Sequence, residues 1–155
     1  MERKTKVTAE ANKQEIIITR EFDLPLELLF KAYIDPEIIE QWMGSKAVKL
    51  ENKKHGSWRL EKKDAQGTVV FQANGTIHEF VPNQKIIRTF EMDDTPFGVQ
   101  LEFLEFEKLT EDTSKLNMHV VYRSVADRDQ YLQIGMDKGV NMAHNQLQKV
   151  LEKLK

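Results

Sequence analysis

Residues 18–44 read ITREFDLPLELLFKAYIDPEIIEQWMG, and within them the hydrophobic period changes from that of a strand to that of a helix. The strand begins upstream at Glu15, where Ile16, Ile17, Ile18 and Thr19 give a β-branched run that ends at Phe22. Pro25 suits a first helical turn, and Leu26, Leu29, Phe30, Tyr33 and Ile34 then recur at helical spacing. Asp35-Pro36 interrupts this helix and starts a second, with Asp35 as the cap and Pro36 at the first position, closing at Gly44 after Trp42 and Met43. Two short helices in succession have the outline of a DNA-reading motif. The second carries Glu37 and Glu40 and neither Arg nor Lys, which argues against that role.

Downstream, residues 47–123 read as strand after strand. Val48 and Leu50 alternate with Lys49 and Glu51, and Trp58 and Leu60 with Arg59 and Glu61, which predicts a sheet with one buried face. Asp64-Ala65-Gln66-Gly67 is a hairpin turn, and a long strand follows over 68–81 before Pro82-Asn83 turns the chain. Asn74-Gly75 within it fits either a second hairpin or a bulge in a curved strand. Phe97, Val99, Leu101 and Phe103 share one parity and Leu104 and Phe106 the other, predicting another bulge. Ser124-Val125-Ala126-Asp127 has the form of a capping box, and the periodic residues from Leu132 to Leu154 predict one long helix. About 28 residues at 1.5 Å each make it roughly 40 Å long. Gly135 and Gly139, four apart, leave room either for close approach of helix and sheet or for a cavity.

The 155 residues suit a single domain, expected over residues 15–155. Residues 1–14, with only Val7 as a sizeable apolar side chain, are expected to be a disordered tail. The 23 Lys and Arg nearly balance 25 Asp and Glu, for a net charge of −2 that gives no electrostatic attraction to nucleic acid or an anionic membrane. Cysteine is absent, which removes disulfides, thiol nucleophiles and Cys-bound metals. No run approaches the about 18 apolar residues of a membrane span, and a cytoplasmic location is expected. His55, His78, His119 and His144 lack metal-ligand spacing, and the seven glycines fit no phosphate-binding loop, so neither metal nor cofactor is expected.

Glu102, Glu105 and Glu107 are expected on the solvated outer surface, with Leu104 and Phe106 taking the other face. Arg88 shares the parity of Ile86 and Phe90, whereas Ile87 has the opposite one. An outward or rim-paired Arg88 is the preferred reading, and an inward one needs an acidic partner or an anionic ligand. His78 and Glu79 are open in the same way. The residues expected to line an apolar pocket are Trp42, Met43, Trp58, Phe71, Phe90, Phe103 and Met118, with Arg88. Tyr122, Tyr131, Leu132, Gly135, Met136 and Gly139 complete the set, and either tyrosine supplies a polar handle.

The order of strand, two short helices, about six antiparallel strands and a long C-terminal helix resembles the α+β helix-grip fold of the SRPBCC (START and Bet v 1-like) superfamily. More narrowly, residues 18–44, with GSWRLEKKDAQG at 56–67 and NGTIHEFVPNQKIIRTFE at 74–91, resemble the single-domain family named for the activator of Hsp90 ATPase homologue 1 (AHSA1). The resemblance implies a curved sheet gripping the last helix, an aromatic at Phe30, a Trp at Trp42, and Gly75 inside a continuous strand. It implies non-enzymatic binding of a small hydrophobic molecule, lipid- or polyketide-like, between sheet and helix. Its alternatives are a protein-interaction module with an Hsp90-type chaperone as partner, and a polyketide-cyclase-like enzyme in which Arg88, Tyr122 or His78 orients a carbonyl.

Overall fold

The computed structural model describes residues 4–155. Among them, strands β1 (Lys6–Thr8), β2 (Glu15–Phe22), β3 (Lys46–Leu50), β4 (Ser57–Lys63), β5 (Val69–Val81), β6 (Lys85–Met92), β7 (Gln100–Lys108) and β8 (Ser114–Val121) form one sheet. Their order is β1-β2-β8-β7-β6-β5-β4-β3, with every neighbouring pair antiparallel. Helices α1 (Leu26–Lys31) and α2 (Pro36–Met43) connect β2 to β3, and α3 (Val125–Gln133) and α4 (Met136–Glu152) follow β8. Leu147, Val150 and Leu151 of α4 pack in one cluster with Ile86, Leu104, Phe106 and Leu116, so this helix lies across the sheet's concave face. The architecture is the Bet v 1-like helix grip.

The segment from β2 to β3 folds as its residues dictate. Asp35 Oδ1 accepts from the backbone N–H of Glu37 (3.0 Å) and Ile38 (3.4 Å), Pro36 opens α2, and Gly44 ends it in the left-handed region at φ 73°. The indole of Trp42 donates to the Ala32 carbonyl at 2.8 Å and locks α2 to the end of α1. Phe30 and Tyr33 then pack edge-on against Phe106, and Tyr33 against Trp42, at centroid separations of 4.9–5.4 Å.

Strand β5 runs unbroken through Asn74-Gly75, so the hairpin alternative does not form there. Gly75 stands opposite Trp58, and a Cβ on it would lie 1.9 Å from the Thr89 carbonyl oxygen and 2.6 Å from the Trp58 indole nitrogen. Close approach demands glycine here. The bulge in β5 falls three residues later, between Ile77 and Glu79, and others lie at Ala47/Lys49 and Lys62/Lys63. The first of these leaves Val48 exposed, against its expected alternation with Lys49.

Three further expectations are corrected. The last helix is two: Gly135, at φ 84°, breaks the run and starts α4. The bulge expected at Leu104 is absent, since β7 keeps register with both neighbours and its inner face is Gln100, Glu102, Leu104 and Phe106. The N-terminal segment is tied down where residues 4–14 are described. Strand β1 pairs with β2, Thr5 bonds to Asn141 and His144 of α4, and the Glu10 carbonyl accepts from Arg128 of α3. Polar contacts fix a segment whose apolar content alone predicts fraying. Residues 1–3 of the expected tail lie outside the described residues.

Candidate ligand site in the grip

The inner face of β7 is polar at one end and apolar at the other. Leu104 and Phe106 enter the core, while Glu102 and Gln100 are carried on the same face toward α3. Glu102 is 3 % exposed and therefore inside, not on the outer surface with Glu105 and Glu107. Alternation with Leu101 and Phe103 disguises it, because those two apolar side chains occupy the outer face. Arg88, directly opposite on β6, also points inward and donates from Nε to Glu102 Oε1 at 2.9 Å. Gln100 Nε2 donates to the second oxygen, Glu102 Oε2, at 2.9 Å. An inward Arg88 thus has the acidic partner that its burial requires.

Aromatic side chains enclose this cluster. The Arg88 guanidinium lies 5.0 Å from the Trp58 ring centre, and Trp58 packs on Phe90, the register partner of Gln100. On that side Arg88, Trp42, Met43, Trp58 and Tyr33 line a cavity of about 20 Å³, room for about one water. On the other side Tyr122 and Tyr131 pack against each other at 5.3 Å, and Phe97 covers Tyr131 at 4.6 Å. Burial pushes the phenols of Tyr33, Tyr122 and Tyr131 well above their ordinary value, and the Glu102 charge adds to the shift of all three. Three tyrosines from three parts of the chain thus sense one carboxylate, and each stays a neutral hydroxyl at physiological pH.

Several of these buried groups have no protein partner. Gln100 Oε1, Tyr131 Oη and Trp58 Nε1 are sealed from solvent without a hydrogen bond. The Gln100 amide cannot be turned over to hide the defect, since its nitrogen serves Glu102, which as a carboxylate only accepts. Buried polar atoms without partners cost about 1–3 kcal/mol each, which sets these three apart from the apolar packing around them.

Of the residues expected to line a pocket, the structure brings Trp42, Met43, Trp58 and Arg88 to the cavity. Phe71, Phe90 and Met118 pack on the core, and Met118, Leu132 and Met136 pack around Tyr122 and Tyr131. Phe103 is not among them: it stacks on His119, at 5.6 Å, on the convex face. Gly135 and Gly139 do not face the interior either. A side chain at either would meet open space, and Gly139 is exposed. His78 is exposed at the β5 bulge, and Glu79 pairs with Lys85 at 2.7 Å. Sequence reasoning missed Gln100, Glu102 and Tyr33. For the first two the available signal was their shared parity with Leu104 and Phe106.

Among the described residues no three His, Cys, Asp or Glu side chains converge as metal ligands, and no helix is long and apolar enough to cross a membrane. No curated protein matches the chain. Solved structures do. A protein from Rhodobacter sphaeroides superposes with a TM-score of 0.85 at 19% identity, covering 97% of this chain and 99% of its own. One from Mycobacterium smegmatis gives 0.83 at 19% identity over 96% of each chain. One from Staphylococcus epidermidis gives 0.77 at 22% identity, over 96% of this chain and 95% of its own. These likenesses establish the fold, and a family model described as "Activator of Hsp90 ATPase homolog 1-like protein" matches residues 23–152, from the turn after β2 to the end of α4. By a match over that much of its length, the chain belongs to the AHSA1-like family.

Proposed function

We propose that the protein binds a small, largely apolar molecule between the concave sheet and its C-terminal helices, without transforming it. The observation that carries this reading is the Glu102 cluster: a compensated ion pair, walled by aromatics, with buried hydrogen-bonding atoms left over. Native interiors leave few buried polar atoms unpaired, so their presence here supports a ligand that completes them. The cavity of about 20 Å³ means that a ligand enters by displacing side chains. Met92, Met118 and Met136, packed around Tyr122 and Tyr131, suit that demand, because unbranched thioether chains repack at little cost.

Trp42 and Trp58 flank the site and report on it. Native mass spectrometry of freshly purified protein is expected to show a noncovalent mass that is absent under denaturing conditions, and its removal is expected to alter tryptophan emission. An apo mass, together with unchanged emission across a panel of small apolar alcohols, amides and acids, overturns the reading. Family membership supports a second reading, a docking module for an Hsp90-type chaperone. Absence of binding to the host chaperone at tens of micromolar removes it.

A further inference from the structure

The polar end of the grip has a definite hydrogen-bonding polarity, and this bears on the ligand's chemistry. Arg88 and Glu102 neutralise one another at 2.9 Å, so the pair leaves no net charge for an ionic ligand to compensate. Arg128, the other buried cation near Tyr122, is committed to Asp129 Oδ1 at 2.8 Å and to the Glu10 carbonyl. A carboxylate or an ammonium group brought to this end would lose its hydration and find no uncommitted counter-charge. Beside Tyr122 what remains on offer is one acceptor and one donor; the third unpartnered atom, Trp58 Nε1, belongs to a residue that lines the small cavity with Arg88. Gln100 Oε1 is fixed as an acceptor because its amide nitrogen holds Glu102. Tyr131 Oη is a donor, since its phenol stays protonated. Tyr131 lies against Tyr122, and Tyr122 follows Val121, whose register partner Leu101 follows Gln100, so the strands bring the tyrosine pair beside Gln100.

Resting on the pocket reading above, we propose that the grip selects an uncharged ligand whose polar end both donates and accepts hydrogen bonds, a hydroxyl or carboxamide on an apolar body, and rejects the corresponding carboxylate. The ligand donates to Gln100 Oε1 and accepts from Tyr131 Oη, while its apolar body displaces the methionines and Phe97 beneath α3. Discrimination comes from leaving a buried group unpaired in the wrong complex, which is the stronger way to reject a near-isostere.

The test uses octanamide, 1-octanol and octanoate at pH 7.4, each titrated against the full chain and followed by calorimetry and tryptophan emission. The amide and the alcohol are expected to bind about tenfold or more tighter than octanoate. Gln100→Leu and Tyr131→Phe are each expected to shrink that preference severalfold. Tyr131→Phe keeps the ring packing and serves if Gln100→Leu loses its circular dichroism signal. Octanoate binding as tightly as octanamide overturns the assignment and leaves the pocket standing. The same conclusion follows if the preference survives both variants, which would mean that buried water alone satisfies these atoms. Binding by none of the three overturns the pocket reading itself, and this inference with it.

Discussion

At the scale of single residues, the Arg88–Glu102 pair decides most. Arg88 is 16 % exposed in its side chain and Glu102 4 %, so neither charge can relax fully into water if its partner is removed. Arg88→Met is expected to cost about 3–5 kcal/mol in urea unfolding, the range for stranding one buried charge. The double variant Arg88→Met/Glu102→Leu removes both charges and is expected to recover a large part of that loss. A double-variant loss equal to the sum of the losses of Arg88→Met and Glu102→Leu alone would mean that the pair carries no mutual dependence. The sequence shows why this centre was half legible. Arg88 shares the parity of Ile86 and Phe90, but the opposite parity of Ile87 favours an outward or rim-paired side chain, and the structure instead turns it inward onto Glu102. Finding Glu102 required rejecting the apolar Leu101 and Phe103 as the inner row, and on a strand that is apolar on both faces period 2 does not say which face is wet.

At the scale of elements, the capped and turn-bounded pieces were legible and the interrupted ones were not. Asp35-Pro36, Gly44 and Ser124 act as caps where their chemistry places them. In α3 the side-chain hydroxyl of Ser124 accepts from the Asp127 N–H at 3.1 Å, while Asp127 turns its carboxylate to Arg123 at 2.7 Å and does not complete the box. The division between α3 and α4 was hidden because apolar residues stay roughly in phase across Gly135, whereas a break depends on φ, which the pattern does not encode. The two glycines make opposite predictions. Gly135 has φ 84° and Gly139 lies within α4, each with open space around it, so neither substitution meets a clash. Gly135→Ala is expected to destabilise by about 1 kcal/mol through backbone strain, and Gly139→Ala to stabilise by about 0.5–1 kcal/mol through helix propensity. Thermal unfolding of the two variants checks both signs, and a loss at both positions would place Gly139 in a contact that its surroundings do not contain.

At the scale of the whole molecule, the N-terminal segment is joined to the C-terminal helix through a buried histidine. His144 is 3 % exposed, its Nδ1 shares a hydrogen bond with Thr5 Oγ1 at 2.7 Å, and its ring packs edge-on to Phe22 at 5.6 Å. Arg20, also inside, bonds to Asn145 at 2.7 Å and to Thr5 at 3.3 Å beside it. Burial first, and the Arg20 charge second, hold the imidazole down at about 3, from an ordinary value of 6.5. The folded protein therefore keeps His144 neutral between these two values while the unfolded chain takes up a proton. Stability is full above about 6.5 and falls as pH drops through that window, with a limiting slope of about 1.4 kcal/mol per pH unit. The shifted carboxylates, Glu51, Asp93 and Asp127, are all lowered from values at or below 4.5, so they add their own loss only at more acid pH. Between pH 6.5 and 5 the slope contributed by these shifted groups belongs to His144, and urea unfolding there is expected to show a loss of about 1–2 kcal/mol. His144→Gln, which keeps a polar group for Thr5 but does not titrate, is expected to flatten the slope whatever it costs at pH 7. A variant that retains the wild-type slope would move the acid sensitivity to another group and leave Thr5 and His144 as a structural tie alone.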